Sequence, residues 1–119
     1  MPTVTLVLAA GPGFPAGSAD HRYELEVALD AAGHLDPAAW RQDPRPWPAR
    51  RFRPGEPLRT GDVQHDAETG WSLRFDPAGG QEELTEPVVG AGSLRPGEYV
   101  TIRAADDGRD YGYRVVSLS

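Results

Sequence analysis

At 119 residues, with 39% hydrophobic and 25% charged residues, the chain has the size and balance of one folded domain, and 14 Gly with 12 Pro argue against long helices. Its net charge of −6 disfavours wholesale binding to nucleic acid or anionic lipid, and the absence of cysteine excludes disulfides, thiol nucleophiles and thiolate metal sites. The chain also lacks Lys and Asn and has one Ile, a bias that suits a GC-rich bacterial genome and makes arginine its only strong side-chain cation.

The first predicted element is a strand over Thr3 to Ala9. No basic residue precedes it, as a secretory signal would need, and no stretch approaches the ~20 apolar residues of a membrane span, so a cytoplasmic protein is expected. Gly11 to Gly17 follows without the glycine spacing or the helix of a dinucleotide loop and reads as a mobile connection. From His21 to Leu29 the residues alternate, with His21, Tyr23, Leu25, Val27 and Leu29 on one face and Arg22, Glu24, Glu26 and Ala28 on the other, the period of a half-buried strand. Asp36 is a good N-cap and Pro37 suits the first helical position, so one short helical turn is expected up to Gln42, ending at Asp43 before Pro44.

The segment Trp40 to Arg59 is the most unusual part of the chain. It holds six Arg against two acids, a net of +4, while the remainder holds six Arg against sixteen acids, a net of −10. Guanidinium forms paired hydrogen bonds with carboxylates and stacks on rings, and the prolines here reduce the entropy lost on ordering. Apart from a strand over Arg50 to Arg53, the segment reads as a long loop whose Trp40, Arg41, Arg45, Trp47, Arg50, Arg51 and Arg53 form a contact surface. The competing reading is an intramolecular clamp in which these arginines pair with acids of the same molecule.

Leu58 to His65 and Trp71 to Phe75 form a predicted hairpin around Gly70, whose loop needs a positive φ. Asp62, His65 and His21 are the best oxygen and nitrogen set for a metal. On a continuous strand, however, Asp62 and His65 point to opposite faces, and no known metal spacing is present. Glu82 to Val89 is a further strand; Pro87 lacks a ladder donor and argues for an edge, where Glu82, Glu83 and Glu86 read as solvated charges. Ser93 is not in a nucleophile elbow. Asp107-Gly108 is a two-residue turn signal, and counting outward from it pairs Ala104 with Tyr111, Ile102 with Tyr113 and Val100 with Val115.

These elements give an all-β protein, residues 1–119 forming one small antiparallel sandwich or barrel of about seven to eight strands with one short helical turn. The leading functional expectation is a small soluble non-enzymatic binding or assembly module that uses the 40–59 segment. A protein partner or self-association is favoured over a small molecule, and no cofactor is expected. The alternative is a small-barrel enzyme or metal-dependent ligand binder using His65, Asp62 and His21 at the barrel mouth.

Overall fold

The computed structural model describes residues 1–11, 13–43 and 45–119. Pro12 of the Gly11 to Gly17 connection and Pro44 of the proline-rich segment lie outside the described residues. Eight strands run β1 (Thr3–Leu8), β2 (Ser18–Glu26), β3 (Trp47–Phe52), β4 (Arg59–Asp66), β5 (Gly70–Phe75), β6 (Leu84–Ala91), β7 (Tyr99–Arg103) and β8 (Asp110–Leu118), with helix α1 (Pro37–Gln42) between β2 and β3. Each strand pairs antiparallel with the next, and β8 pairs with β1, so the sheet closes into a barrel rather than a sandwich. Closure removes the free sheet edges that an open arrangement would leave.

Alternation decides which side chains fill the barrel. Val4, Leu6 and Leu8 of β1, Tyr23 and Leu25 of β2, Leu73 and Phe75 of β5, and Val100 and Ile102 of β7 are all buried inside. Eight strands enclose an interior just wide enough for such side chains, which makes the barrel centre a packed core rather than a pore. The expected helical turn forms as the capping residues dictate: the Asp36 carboxylate accepts from the N–H groups of Ala38 and Ala39, Pro37 opens the helix, and Asp43 leaves it in an extended conformation. Gly70 has φ 85°, and the Asp66 carboxylate accepts from Glu68 and Thr69 in the turn before it. Gly61 is required for space rather than for φ, since a Cβ there would lie 1.7 Å from the Arg74 carbonyl oxygen on β5.

Three expectations are corrected. Glu82 to Val89 is not an edge: β6 is bonded to both β5 and β7. Barrel closure tolerates Pro87 because it pairs with Ser72 of β5, while the ladder to β7 begins at Val88↔Ile102, past the residue that lacks a donor. Pro48 of β3 follows the same rule, pairing with Asp62 of β4 while the ladder to β2 ends at Ala49. Second, the 40–59 segment is not one long loop, because Trp47–Phe52 is a central strand paired on both sides. Third, the last hairpin is two residues out of the expected register: Ile102 pairs with Tyr111 and Val100 with Tyr113. The turn is wider than Asp107-Gly108, with the Ala104 N–H donating to the Arg109 carbonyl. A shift of two keeps every side chain on its face, so the buried set is unchanged.

The two ends of the barrel are finished differently. At one end Trp47 stacks on Trp71 at 5.6 Å, His65 lies 4.5 Å from Trp71, and Trp40 of α1 donates its indole N–H to the Val63 carbonyl. Leu35 and Leu94 add to this apolar plug. The other end, where β1 leads toward Gly11 and where the β7–β8 turn lies, is lined by polar and aromatic groups together.

Candidate functional site

An acid is built into the barrel interior below this second end. Glu86, on the inward face of β6, has no solvent exposure. Its Oε1 accepts from the Tyr23 hydroxyl at 2.6 Å, and its Oε2 accepts from the Ala105 N–H at 2.8 Å. Arg51, whose side chain is 4% exposed, brings Nη1 to 3.3 Å from Glu86, and Arg53 brings Nη2 to 3.7 Å. Arg51 also donates to Glu56, and Arg53 donates to Asp106 at 3.0 Å. A buried charge is tolerated when it is paired and hydrogen-bonded; every acid and base of this cluster has an opposite partner, while Arg51 Nη1 is paired with Glu86 without a hydrogen bond among the described residues. Burial, then the Glu86 charge, pushes the Tyr23 phenol well above its ordinary range, so Tyr23 remains a donor.

Above this cluster a cleft of about 150 Å³ opens at the barrel mouth. Arg53 and Tyr113 line it together with Phe14, His21, Tyr111 and the two turn acids Asp106 and Asp107. Phe14 reaches the site because the Gly11 to Gly17 connection folds back in a small turn, Gly11 and Phe14 exchanging backbone hydrogen bonds at 2.9 Å. The Phe14 ring packs edge-on to His21 at 4.8 Å. His21 Nδ1 lies 2.9 Å from the Ser18 hydroxyl oxygen. Burial and then the Arg53 charge lower the His21 pKa below 6.5, so the ring is neutral at pH 7. Burial raises the Tyr113 pKa, which keeps its hydroxyl a donor. Both turn acids are occupied: Asp106 by Arg53, and Asp107 by the Arg109 N–H and by the Tyr111 hydroxyl at 2.5 Å.

The residues of the 40–59 segment are dispersed. Trp47 is fully buried in the plug, and Trp40 is half-buried beside it. Arg51 and Arg53 belong to the Glu86 cluster, while Arg50 faces outward and pairs with Glu24 and Glu26 of β2. Arg45 pairs with Asp43, and Arg41 and Arg45 line a shallow groove of about 390 Å³ with Trp40, Pro46 and Asp62. Arg59, 1% exposed, donates to the Gln81 side chain and to the Asp76 and Glu82 carbonyls, fastening the β5–β6 connection. The intramolecular pairing weighed against a contact loop thus accounts for Arg45, Arg50, Arg51 and Arg53.

The three residues considered for a metal do not meet. Asp62 faces outward, held by Arg74 at 2.7 Å and by Gln64, and His65 sits under Trp71 in the plug. His21 is at the opposite mouth, since Arg22 pairs with Phe52 and Arg51 with Arg59, six positions along β4 from His65, or about 20 Å at strand rise. Among the described residues no group of three or more His, Asp or Glu is placed to hold an ion.

Sequence reading missed the inward orientation of Arg51 and Glu86. Phe52, next to Arg51, lies outside with the Arg22 guanidinium 4.1 Å above its ring. The signal was present in the period-two match of Arg51 to Trp47 and Ala49, and of Glu86 to Leu84 and Val88. No described helix is long and apolar enough to cross a membrane. Comparison with protein-family models, with curated proteins and with solved structures gives no match, so fold and site geometry are the basis for a functional reading.

Proposed function

We propose that the protein is a small-ligand-binding barrel and that the ligand sits in the mouth between Phe14, His21, Arg53, Tyr111 and Tyr113. The convergence of one guanidinium, one neutral imidazole and two phenols on a single concave opening carries this reading. Barrel mouths are common ligand positions, and a few directed polar groups within an aromatic wall are what orient a small molecule. The chemistry favours binding over catalysis: the carboxylates nearest to the mouth are already engaged by Arg53, Tyr23 and Tyr111, and the Ser18 hydroxyl beside His21 has no carboxylate on the far nitrogen of the ring among the described residues to complete a catalytic set. This reading retains a non-enzymatic module but departs from the expected protein partner or self-association: the ligand is a small molecule, and the contact point moves from the 40–59 segment as a whole to Arg53 and its neighbours.

A fragment screen followed by amide-shift mapping tests this. Binders are expected to shift Leu8, Phe14, Ala104 and Gly112, and Ala104→Trp, which fills the cleft, is expected to abolish those shifts. Hits that map elsewhere, or that persist in Ala104→Trp, would reject the mouth as the site.

A second reading rests on the groove beside α1, where exposed Arg41 and Arg45 flank Trp40. It would take an acidic segment of a protein partner. Charge reversal at both arginines is expected to eliminate any such association and to leave binding at the mouth intact.

A further inference from the structure

The polar groups at the mouth are not balanced between donors and acceptors. Arg53 carries five N–H donors, and among the described residues one hydrogen bond is made by them, from Nη1 to Asp106. Its Nη2 stands 3.7 Å from Glu86, beyond hydrogen-bond distance. Among the described residues Nη2 and Nε make no hydrogen bond, and the Arg53 side chain is 12% exposed. His21 uses Nδ1 toward Ser18, leaving Nε2 as its second polar atom. On the acceptor side, Glu86 is sealed below, and Asp106 and Asp107 are held by Arg53, Tyr111 and the Arg109 N–H. The vacant capacity on Arg53 is donor capacity, while His21 Nε2 donates or accepts according to the ring tautomer and the exposed Asp106 keeps its second oxygen. The walls of the cleft, Leu8, Phe14, Tyr111 and Ala104, are apolar or flat.

We infer that the ligand is a small molecule with one carboxylate on a flat apolar body, inserted carboxylate first toward Arg53. The inference rests on the reading of the mouth as a ligand site and adds the chemical class. A guanidinium pairs with a carboxylate through two parallel N–H bonds, and one such bond is at present given to Asp106. Asp106, whose side chain is 63% exposed, acts as a placeholder: an incoming carboxylate takes its position on Arg53 while Glu86 continues to balance the buried charge. The next residue inward, Ala105, stays fixed by its N–H to Glu86, so the exchange needs a rotation of the Asp106 side chain and not a rearrangement of the turn.

The test titrates the protein with benzoate and with benzamide, its neutral counterpart, reading the amide signals of the mouth in the wild type and in Asp106→Asn. Benzoate is expected to shift the mouth signals at lower concentration than benzamide. Asp106→Asn is expected to tighten benzoate by about two- to five-fold, the value of one exposed ion pair removed from competition, and to leave benzamide unchanged. Arg53→Gln is expected to abolish the preference for benzoate. Arg53 also faces buried Glu86, so Asp106→Asn carries the test if Arg53→Gln does not fold. Equal shifts from both compounds, or weaker benzoate binding in Asp106→Asn, would overturn the carboxylate assignment and leave the mouth as a binding site. No shift from either compound would overturn both.

Discussion

The two ends of the barrel solve one problem in opposite ways. Each end must cover the interior where the strands stop. The end beneath α1 does so with Trp47, Trp71, Trp40, Leu35 and Leu94, a plug that excludes water and leaves the His65 ring among aromatics. The opposite end places Glu86, Arg51 and Arg53 inside and leaves a cleft above them. Burying charge is a poor way to gain stability, because the desolvation cost offsets most of the Coulombic attraction. A barrel built only for stability would repeat the apolar plug, so the charged end is where selection for a function is most readily placed.

That contrast can be broken at either end, and the size of the effect should differ. Trp47→Ala removes the largest buried side chain of the plug and is expected to cost about 3–5 kcal/mol in denaturant unfolding. A loss below about 1 kcal/mol would mean that the plug collapses around the gap and is not a rigid layer. Glu86→Gln keeps one acceptor oxygen where Tyr23 and the Ala105 N–H each use their own, and it leaves Arg51 and Arg53 less balanced. Since Glu56 and Asp106 still pair with them, a loss of about 2–3 kcal/mol is expected, at the low end for a broken buried pair. Unchanged stability would show that the cluster is neutral to folding and would strengthen a purely functional account of it. Asp36→Ala removes the cap of α1 and should cost about 1 kcal/mol.

The smallest effect is the most diagnostic. His21 is expected to titrate below 6.5 when followed by ring proton shifts, because burial and Arg53 both disfavour the imidazolium. Its folded pKa lies below the unfolded value, so the unfolded chain binds the proton more readily. The contribution of neutral His21 to stability is thus fully present above 6.5 and declines as the pH falls from there through the folded pKa. Arg53→Gln should move the midpoint upward, since the Arg53 charge is one of the two causes that lower it. A midpoint at or above 6.5 in the wild type would mean that His21 is not packed at the mouth as described.

Local patterns carried much of the fold. Period-two alternation from His21 to Val27 and from Trp71 to Phe75 marked strands in which Tyr23, Leu25, Val27, Leu73 and Phe75 are buried as expected and the end residues His21 and Trp71 are partly exposed, and Asp36-Pro37 set the start of α1. The same alternation was ambiguous in Trp-Pro-Ala-Arg-Arg-Phe, where either parity buries one aromatic residue and one arginine. Pairing on both sides, with Trp47 and Ala49 turned inward, resolved it against Phe52. The site was less legible. Arg53 and His21 were singled out, but for separate reasons and in separate hypotheses, and Glu86 was read as a surface charge. They come together through strands β2, β3 and β6 and the β7–β8 turn, contacts between residues as far as 63 positions apart.

What the sequence determined by itself was the set of strands, the capped helical turn and an excess of arginine in one segment, because these depend on side-chain periodicity and local hydrogen bonding. Only the tertiary structure decided that the sheet closes, that Arg51 and Glu86 face inward, and that the arginines divide between an outer wall, an ion cluster and the cleft at the mouth. Closure is a condition on all eight strands at once, and a buried charge becomes tolerable only when its opposite partner arrives from a distant strand.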